Sequence, residues 1–466
     1  MEAPSTPVGA DHLSRRAFLG VAAVVGASGA ISVPASASGR SGAATFPLGA
    51  ASRAGSKPVV ITMWHSMTSA NLTTLSNLTD QFNTSQKNVR VNLVNQNSYT
   101  DTLAAYTAAL SGGSLPDLVQ MQTTALQFMI DSQSIVPAQG AVRADHYSLS
   151  DYLPASVEFF RVNGTLYAMP FNISSNVLYY DRKAFAAAGL DPDAPPTSLA
   201  GLRSAAEKIV RSKVAKYGMS LKVTDSDFEL ELALADGLLV NHQNGRTGRA
   251  TAVSFDNAKG RAIFDWWGGM LQDQLAQPTS DTTYDNLLAI GNRIAPMTWE
   301  TSAALGTILT VLNSYPQVGL GVAPLPRPAK RGGVFVGGAG LFMVSKSPPT
   351  HQDAAWQFIK FLNSPASQAT WSVGTGYVPI RKSATLLPAI TAAWASQPYF
   401  KVAYQQIAAS PTDPATAGAV IGAFNQVSNA INDGISSLAS GTKPVTALKA
   451  TEKACNSAIA AYNARI

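Results

Sequence analysis

The 466-residue sequence predicts an α/β protein, with mostly parallel sheets flanked by helices and divided between two domains or lobes. Three observations carry that prediction. From Pro58 onward, runs with strand alternation take turns with apolar stripes at helical spacing, the order that builds a parallel sheet covered on both faces. The chain is long for a single core, and with 46% hydrophobic and 13% charged residues it can bury a large one. Beyond the N-terminus there is no apolar run long enough to span a bilayer.

The elements follow in order. Val59 to Trp64 reads as the first strand, Leu72, Leu75, Leu78 and Phe82 as a helical stripe, and Val89, Val91 and Leu93 as an alternating second strand. Tyr99 to Leu110 is the next helix, and Leu118 to Met121 a short third strand after Pro116. Asn172-Ile173-Ser174-Ser175-Asn176 is a polar cluster expected to interrupt any core strand and to hold a polar ligand. Val177 to Tyr180 is again strand, passing into a helix from Arg182 to Ala188 that Gly189 can cap in a left-handed conformation. Leu199, Leu202, Ala206 and Ile209 mark another helix, as do Phe228 to Leu239 and Ala258 to Leu275. Ile294 to Thr298 is a strand delivering Trp299-Glu300-Thr301-Ser302 to a helix start, and Val318 to Val322 a further strand. Gly337 to Val344 is a strand entered through glycines, followed by the amphipathic helix Ala354 to Leu362. Tyr179-Tyr180 and Trp266-Trp267 read as core, and Cys455 as a buried small hydrophobe on the last helix.

The N-terminus predicts export. Ser14-Arg15-Arg16-Ala17-Phe18-Leu19 has the twin-arginine pattern, the apolar run Gly20 to Val33 follows, and Ala35-Ser36-Ala37 offers a cleavage site. Residues 1–37 are therefore read as a signal peptide and 38–57, rich in Ser, Ala and Gly, as a flexible leader. Cys455 is the only cysteine, which excludes an intramolecular disulfide and leaves no lipid-anchoring thiol near the cleavage site. The net charge of +6 is scattered without a basic stripe, so nucleic acid is not an expected partner. His65, His146, His242 and His351 are isolated and no Cys cluster exists, so no metal or other cofactor is expected.

Several motifs, in order along the chain, resemble one family. They are Trp64-His65-Ser66-Met67, the segment Met169-Pro170-Phe171-Asn172 through Tyr180-Asp181 to Gly189-Leu190, and Gly337-Gly338-Ala339-Gly340-Leu341. Ala355-Trp356-Gln357-Phe358-Ile359-Lys360-Phe361-Leu362 and Thr375-Gly376-Tyr377-Val378-Pro379-Ile380 complete the set. Over roughly residues 58 to 460 the chain resembles the bacterial solute-binding proteins of ABC importers for sugars (family 1), most of all their glycerol-3-phosphate-binding members. The resemblance implies the two-lobe, type II periplasmic-binding-protein fold, with a hinge and a ligand cleft between lobes. Lobe one would hold residues 58–170 and 325–370, lobe two 171–324 and 371–466. It also implies a monomer that captures a carbohydrate or polyol and delivers it to membrane permease subunits, without catalysis.

Carried over residue by residue, the subfamily's ligand positions match Tyr99, Ser174, Gly337 and Tyr377, and a serine becomes Thr301. Two positions depart: the glutamate that takes glycerol hydroxyls falls on Thr123, and the arginine that holds phosphate falls on Ser428. A serine cannot supply a bidentate guanidinium contact, which weakens the glycerol-3-phosphate or glycerophosphodiester reading in favour of a sugar, oligosaccharide or polyol. Trp299 and Glu300 beside Thr301, and His65 at the end of the first strand, are further candidates for stacking on and hydrogen bonding a sugar. A secreted carbohydrate-active enzyme would need two carboxylates flanking a cleft. Glu300 alone is placed there by the sequence.

Overall fold

The computed structural model describes residues 46–55, 57–280, 285–329 and 331–466. The proposed signal peptide, 1–37, lies outside them.

In the first part of the chain, β1 (Val59–His65), β2 (Val89–Asn95) and β3 (Leu118–Gln122) alternate with the helices Ser69–Ser85 and Tyr99–Gly112. Leu75, Leu78 and Phe82 seat the first of these helices on the sheet, while Ser98 caps the second by accepting the Asp101 N–H at 3.0 Å. β1 pairs in parallel with both β2 and β3. β4 (Ile135–Val136) and the small hairpin β5 (Arg161–Val162) and β6 (Thr165–Leu166) follow, and then β7 (Met169–Ser174). After Ser175 the chain enters a second sheet through β8 (Asn176–Asp181), to which β9 (Met219–Lys222), β10 (Ala276–Thr279), β11 (Met297–Thr301) and β12 (Leu320–Ala323) belong. It then returns to the first sheet as β13 (Gly337–Val344).

The sheets are mixed rather than mostly parallel. β1, β2 and β3 are parallel, as are β9, β10 and β11, but β13 runs antiparallel to β3, β4 and β7, and β8 antiparallel to β11 and β12. The reason is where the chain crosses. β7 ends at the same edge as β1 to β3, so the next strand must start at the facing edge of the other sheet and run backwards through it. β12 and β13 repeat the manoeuvre on the return.

Other departures have local causes. The stretch 172–176 breaks the strands only at Ser175: Asn172 to Ser174 lie in β7 and are buried, because the Asn172 amide finds partners inside the lobe. The helix expected over 228–239 spans Asp225–Leu234 and stops where Asp236 takes a positive φ of 56°. The strand expected at 294–298 is displaced to Met297–Thr301. Of the segment read as a flexible leader, Phe46 packs edge-on against Trp356 at 6.5 Å. The Gly49 and Ala51 N–H groups donate to the Asp353 carboxylate at 2.9 and 3.0 Å, so this part is docked on the helix Pro349–Leu362. Tyr179, Tyr180 and Trp267 are core residues, and Cys455 is buried on the helix Pro444–Asn463 with its thiol pushed up to about 12 by burial.

Gln406, on the helix Phe400–Ala408, ties the two crossings together. Its amide nitrogen donates to the Asn176 carbonyl at 2.8 Å and to Ser175 Oγ at 3.3 Å, and its oxygen accepts the Leu325 N–H at 2.6 Å. Removing that one side chain leaves the Leu325 N–H unpartnered and the Asn176 carbonyl and Ser175 Oγ with only their own 3.4 Å contact. Gln406→Ala is expected to lower the melting temperature by several degrees, the scale of about 1–3 kcal/mol for unsatisfied buried groups. An unchanged melting temperature by calorimetry would show that the crossings are held by something else.

Candidate functional site

The edge at which β1, β2, β3 and β7 end carries a chain of polar contacts. Gln120 on β3 accepts the Ser66 N–H at 3.0 Å through its oxygen and donates through its nitrogen to Asn172 Oδ1 at 2.7 Å. Asn172 on β7 donates in turn to the Tyr99 hydroxyl at 2.7 Å, and Tyr99 shares a hydrogen bond with Tyr377. Burial, more than the neighbouring Tyr377, holds the Tyr99 phenol well above its ordinary range, so it remains a neutral donor. The Tyr377 ring stacks on Trp371 at 5.8 Å and 18°, and Trp371 rests on Phe171 at 4.7 Å. Gly376, at φ 83°, ends the helix Pro365–Thr375 and turns Tyr377 into this position.

Ser174 and Gly337 are register partners on β7 and β13. The conformational need lies one residue further on: Gly338 has φ 107°, and a Cβ there would sit 1.9 Å from the Asn172 carbonyl oxygen. Thr123 is buried immediately after β3. His65 ends β1 with 1% exposure, and its Nδ1 accepts the Met67 N–H at 3.2 Å. Burial lowers its pKa to about 4, so the ring is neutral.

The facing edge belongs to the second sheet. Ser175 and Ser302 join it to the crossing, with Ser302 N–H donating to the Ser175 carbonyl at 2.9 Å and Ser175 N–H to Ser302 Oγ at 3.4 Å. Thr301 ends β11 and caps the following turn by accepting the Ala303 N–H at 3.3 Å, while its carbonyl accepts from the Tyr179 hydroxyl. Glu300 is ion-paired with Lys222 and accepts from Asn286 at 3.2 Å.

Next to Glu300 lies a feature the sequence reading did not find. The helix Asp225–Leu234 buries four carboxylates, each with its own donor. Asp225 accepts from the Ser428 hydroxyl at 2.7 Å, Asp227 from Asn176 Nδ2 at 2.8 Å, Glu229 from the Ala419 N–H at 2.6 Å, and Glu231 from the Trp267 indole at 3.0 and 3.1 Å. Burial raises Asp227 to about 8; Trp299 lowers it, Glu300 raises it, Lys222 lowers it and Asp225 raises it. The expectation of a lone acid at this edge is thereby corrected, since Glu300 and Asp227 are electrostatic neighbours. The signal was an Asp-Ser-Asp start to a helix directly after a strand, which reads equally well as a solvated helix N-terminus.

Most of the predicted residues converge on these two edges. Tyr99, Tyr377, Ser174, Gly337, Thr123 and His65 belong to the first, Glu300 and Thr301 to the second. Trp299 is 3% exposed and stacked on Trp266 at 5.8 Å, with its indole toward Asp227. Ser428 sits on the helix Phe424–Ala439 with its hydroxyl committed to Asp225. Among the described residues no group of three or more His, Cys, Asp or Glu side chains could hold a metal ion.

Two mixed sheets whose facing edges share a connection at Ser175 define the two-lobe fold of periplasmic binding proteins. The chain belongs to the family of bacterial extracellular solute-binding proteins, whose model matches residues 77–400. A curated relative, the sn-glycerol-3-phosphate-binding periplasmic protein UgpB of Pectobacterium atrosepticum, is 27% identical over 399 residues, 82% of this chain and 87% of the relative. Among solved structures, the cyclic α-maltosyl-1,6-maltose binding protein of Arthrobacter globiformis aligns with TM-score 0.71 and 23% identity, over 86% of this chain and 99% of that one. UgpB of Mycobacterium tuberculosis, in complex with glycerophosphocholine, aligns with TM-score 0.69 and 20% identity, over 87% and 99%. Among the described residues no helix is long and apolar enough to cross a membrane.

The buried Asp227 makes stability depend on pH in a defined direction. An unfolded aspartate ionises near 3.8 and the folded one near about 8, so the folded state holds an extra proton in that window and loses stability as pH rises through it. Asp227→Asn removes that loss. The melting temperature of the variant relative to the parent is expected to climb steadily from pH 4 to pH 8 in calorimetry; a difference that stays flat contradicts the assignment.

Proposed function

We propose that the chain is the extracytoplasmic binding component of an ABC importer and holds a neutral sugar, oligosaccharide or polyol between the edges described above. The observation that carries this reading is the convergence of Tyr99, Asn172, Ser174 and Tyr377 with Asn176 and Thr301 on either side of a single connection. Hydroxyl and amide groups in such a setting exchange hydrogen bonds with sugar hydroxyls, and the Tyr377 ring, backed by Trp371, is a platform for an apolar sugar face. Closure of the lobes about Ser175, Leu325 and Gln406 would bury the ligand and form the surface offered to the permease. Export through the twin-arginine signal of residues 1–37 brings the protein to the outer face of the cell membrane as a monomer, and no covalent chemistry is required.

Glycerol-3-phosphate is the second reading, favoured by the similarity to curated UgpB relatives. Ser428 speaks against it. Where that subfamily's arginine would stand, this chain has a hydroxyl given to Asp225, and a phosphate brought there meets a carboxylate.

A thermal-shift screen over sugars, polyols and glycerophosphodiesters, with every hit weighed by mass spectrometry afterwards, tests the proposal. The expected result is stabilisation by an unphosphorylated sugar or polyol that is recovered unchanged. Tyr377→Ala and Ser174→Ala should each weaken that binding by about 1–2 kcal/mol, the scale of one lost ring or hydrogen-bond contact, without unfolding the protein. Chemical conversion of the hit would make the protein an enzyme, and full affinity in both variants would move the site elsewhere.

A further inference from the structure

We propose that the tyrosine pair Tyr99 and Tyr377 gives one hydrogen to the bound solute, and that Gln120 is the positioning residue that sets this direction. The proposal rests on the solute-binding reading and narrows what the solute must offer. At that point it presents an oxygen in the accepting role (hydroxyl, ring or glycosidic), and any hydrogen on that oxygen is not needed.

The direction follows from where the relay starts. A backbone N–H can only donate, so the Ser66 N–H, 3.0 Å from Gln120 Oε1, fixes which way the Gln120 amide lies. Gln120 Nε2 then donates to Asn172 Oδ1 at 2.7 Å, which leaves Asn172 Nδ2 to donate to the Tyr99 oxygen at 2.7 Å. Both amides are 0% exposed, so no bulk water is at hand to stabilise them turned over. Ser66 is itself held. Thr102 gives its hydrogen to the Ser98 carbonyl at 2.7 Å and therefore accepts from the Ser66 hydroxyl at 2.6 Å. Thr102 lies in the first turn of the helix that Tyr99 begins, so the anchor of the relay and its phenol are tied to the same turn.

The hydrogens at the end of the relay can be counted. Tyr99 and Tyr377 carry one phenolic hydrogen each, and one of the two is used in the bond they share. Asn172 gives a hydrogen to Tyr99 and takes none. Whichever way the shared bond points, one phenolic hydrogen is directed outside the pair. Were the relay reversed, Tyr99 would give its hydrogen to Asn172 Oδ1 and Tyr377 would give its own to Tyr99. The pair could then only accept.

Gln120 acts on this through Asn172 and need not touch the solute. A glutamate of the same shape would keep the direction while protonated, because its O–H still donates to Asn172 Oδ1. Once ionised it can only accept, and the Asn172 amide must turn over to meet it. Asn172→Asp reverses the last step in the same way, since its carboxylate takes hydrogens from both Gln120 and Tyr99. For the solute, a hydroxyl that only accepts can be replaced by fluorine, which still accepts weakly, but not by hydrogen, which does not accept at all. Tyrosines that only accepted would treat the two replacements alike.

Neutron diffraction from the perdeuterated protein reads the direction itself, because it locates the hydrogens. Expected are deuterium on Asn172 Nδ2 toward Tyr99 and one phenolic deuterium pointing out of the pair; Tyr99 donating to Asn172 overturns the proposal. Calorimetry then compares glucose, maltose, trehalose and sorbitol, with any further sugar from the thermal-shift screen, against their monodeoxy and monodeoxyfluoro forms. For a sugar that binds, one position should take fluorine at least five-fold better than hydrogen. In Gln120→Glu and Asn172→Asp that preference should fall below two-fold once infrared spectroscopy shows the new carboxyl ionised. A purely structural role would weaken all analogues alike and leave the ratio unchanged. Equal loss on both replacements at every position, or a preference that survives ionisation, overturns the proposal. If the relay runs the other way while sugars bind, this proposal fails and the solute-binding reading stands. If no sugar in the panel or the screen binds, both fail together.

Discussion

One constraint organises the molecule: the chain passes between its two sheets at the edge where their parallel strands end. Because β7 finishes at that edge, β8 has to begin at the facing one, and Ser175 between them belongs to both lobes. The antiparallel direction of β8 and β13 follows from it, as does the placing of Ser302, Gln406 and Leu325 around the same point. The C-terminal ends of parallel strands are where an open α/β sheet presents ligand contacts. Here two such ends are brought to the same place.

The two edges have different chemistry. That of the first lobe is a neutral relay from Ser66 through Gln120, Asn172 and Tyr99 to Tyr377, each group fixed by the next. Such a relay holds donors and acceptors in position before any ligand arrives, which limits the ordering cost of binding. The second edge is acidic, with Asp227 raised by burial and Glu300 balanced by Lys222. A ligand spanning both would meet hydroxyl-type recognition on one side and charge on the other.

Much of this was legible in the sequence. Alternation in Val59–His65 and Val89–Asn95, and the stripe Leu75, Leu78, Phe82, identified strands and helix because each element buries one face against a single neighbour. Tyr99, Ser174 and Tyr377 were reached through motifs, and lie on adjacent elements. Strand direction was not legible, since it is set by the inter-lobe crossing and leaves no local trace. Burial of Asn172 and Gln120 was also hidden, because a polar side chain in a strand looks like a break until its partner, 52 residues away, is known. The acids of Asp225–Leu234 mislead for the same reason: alternating charge looks solvated, and only packing supplies Asn176, Ala419 and Trp267 as donors. Trp299 and Phe46 show the converse, residues whose neighbours looked like surface and whose rings found core partners.

Backbone hydrogen exchange, with and without a saturating sugar from the screen, reaches the central claim most directly. If both lobes meet the solute across Ser175, peptides covering 172–178, 299–303 and 374–378 slow together while the outer helix Pro444–Asn463 is unaffected. Protection confined to one lobe, or lying away from all three segments, would mean that the shared edge is only a connection and that solute is held elsewhere.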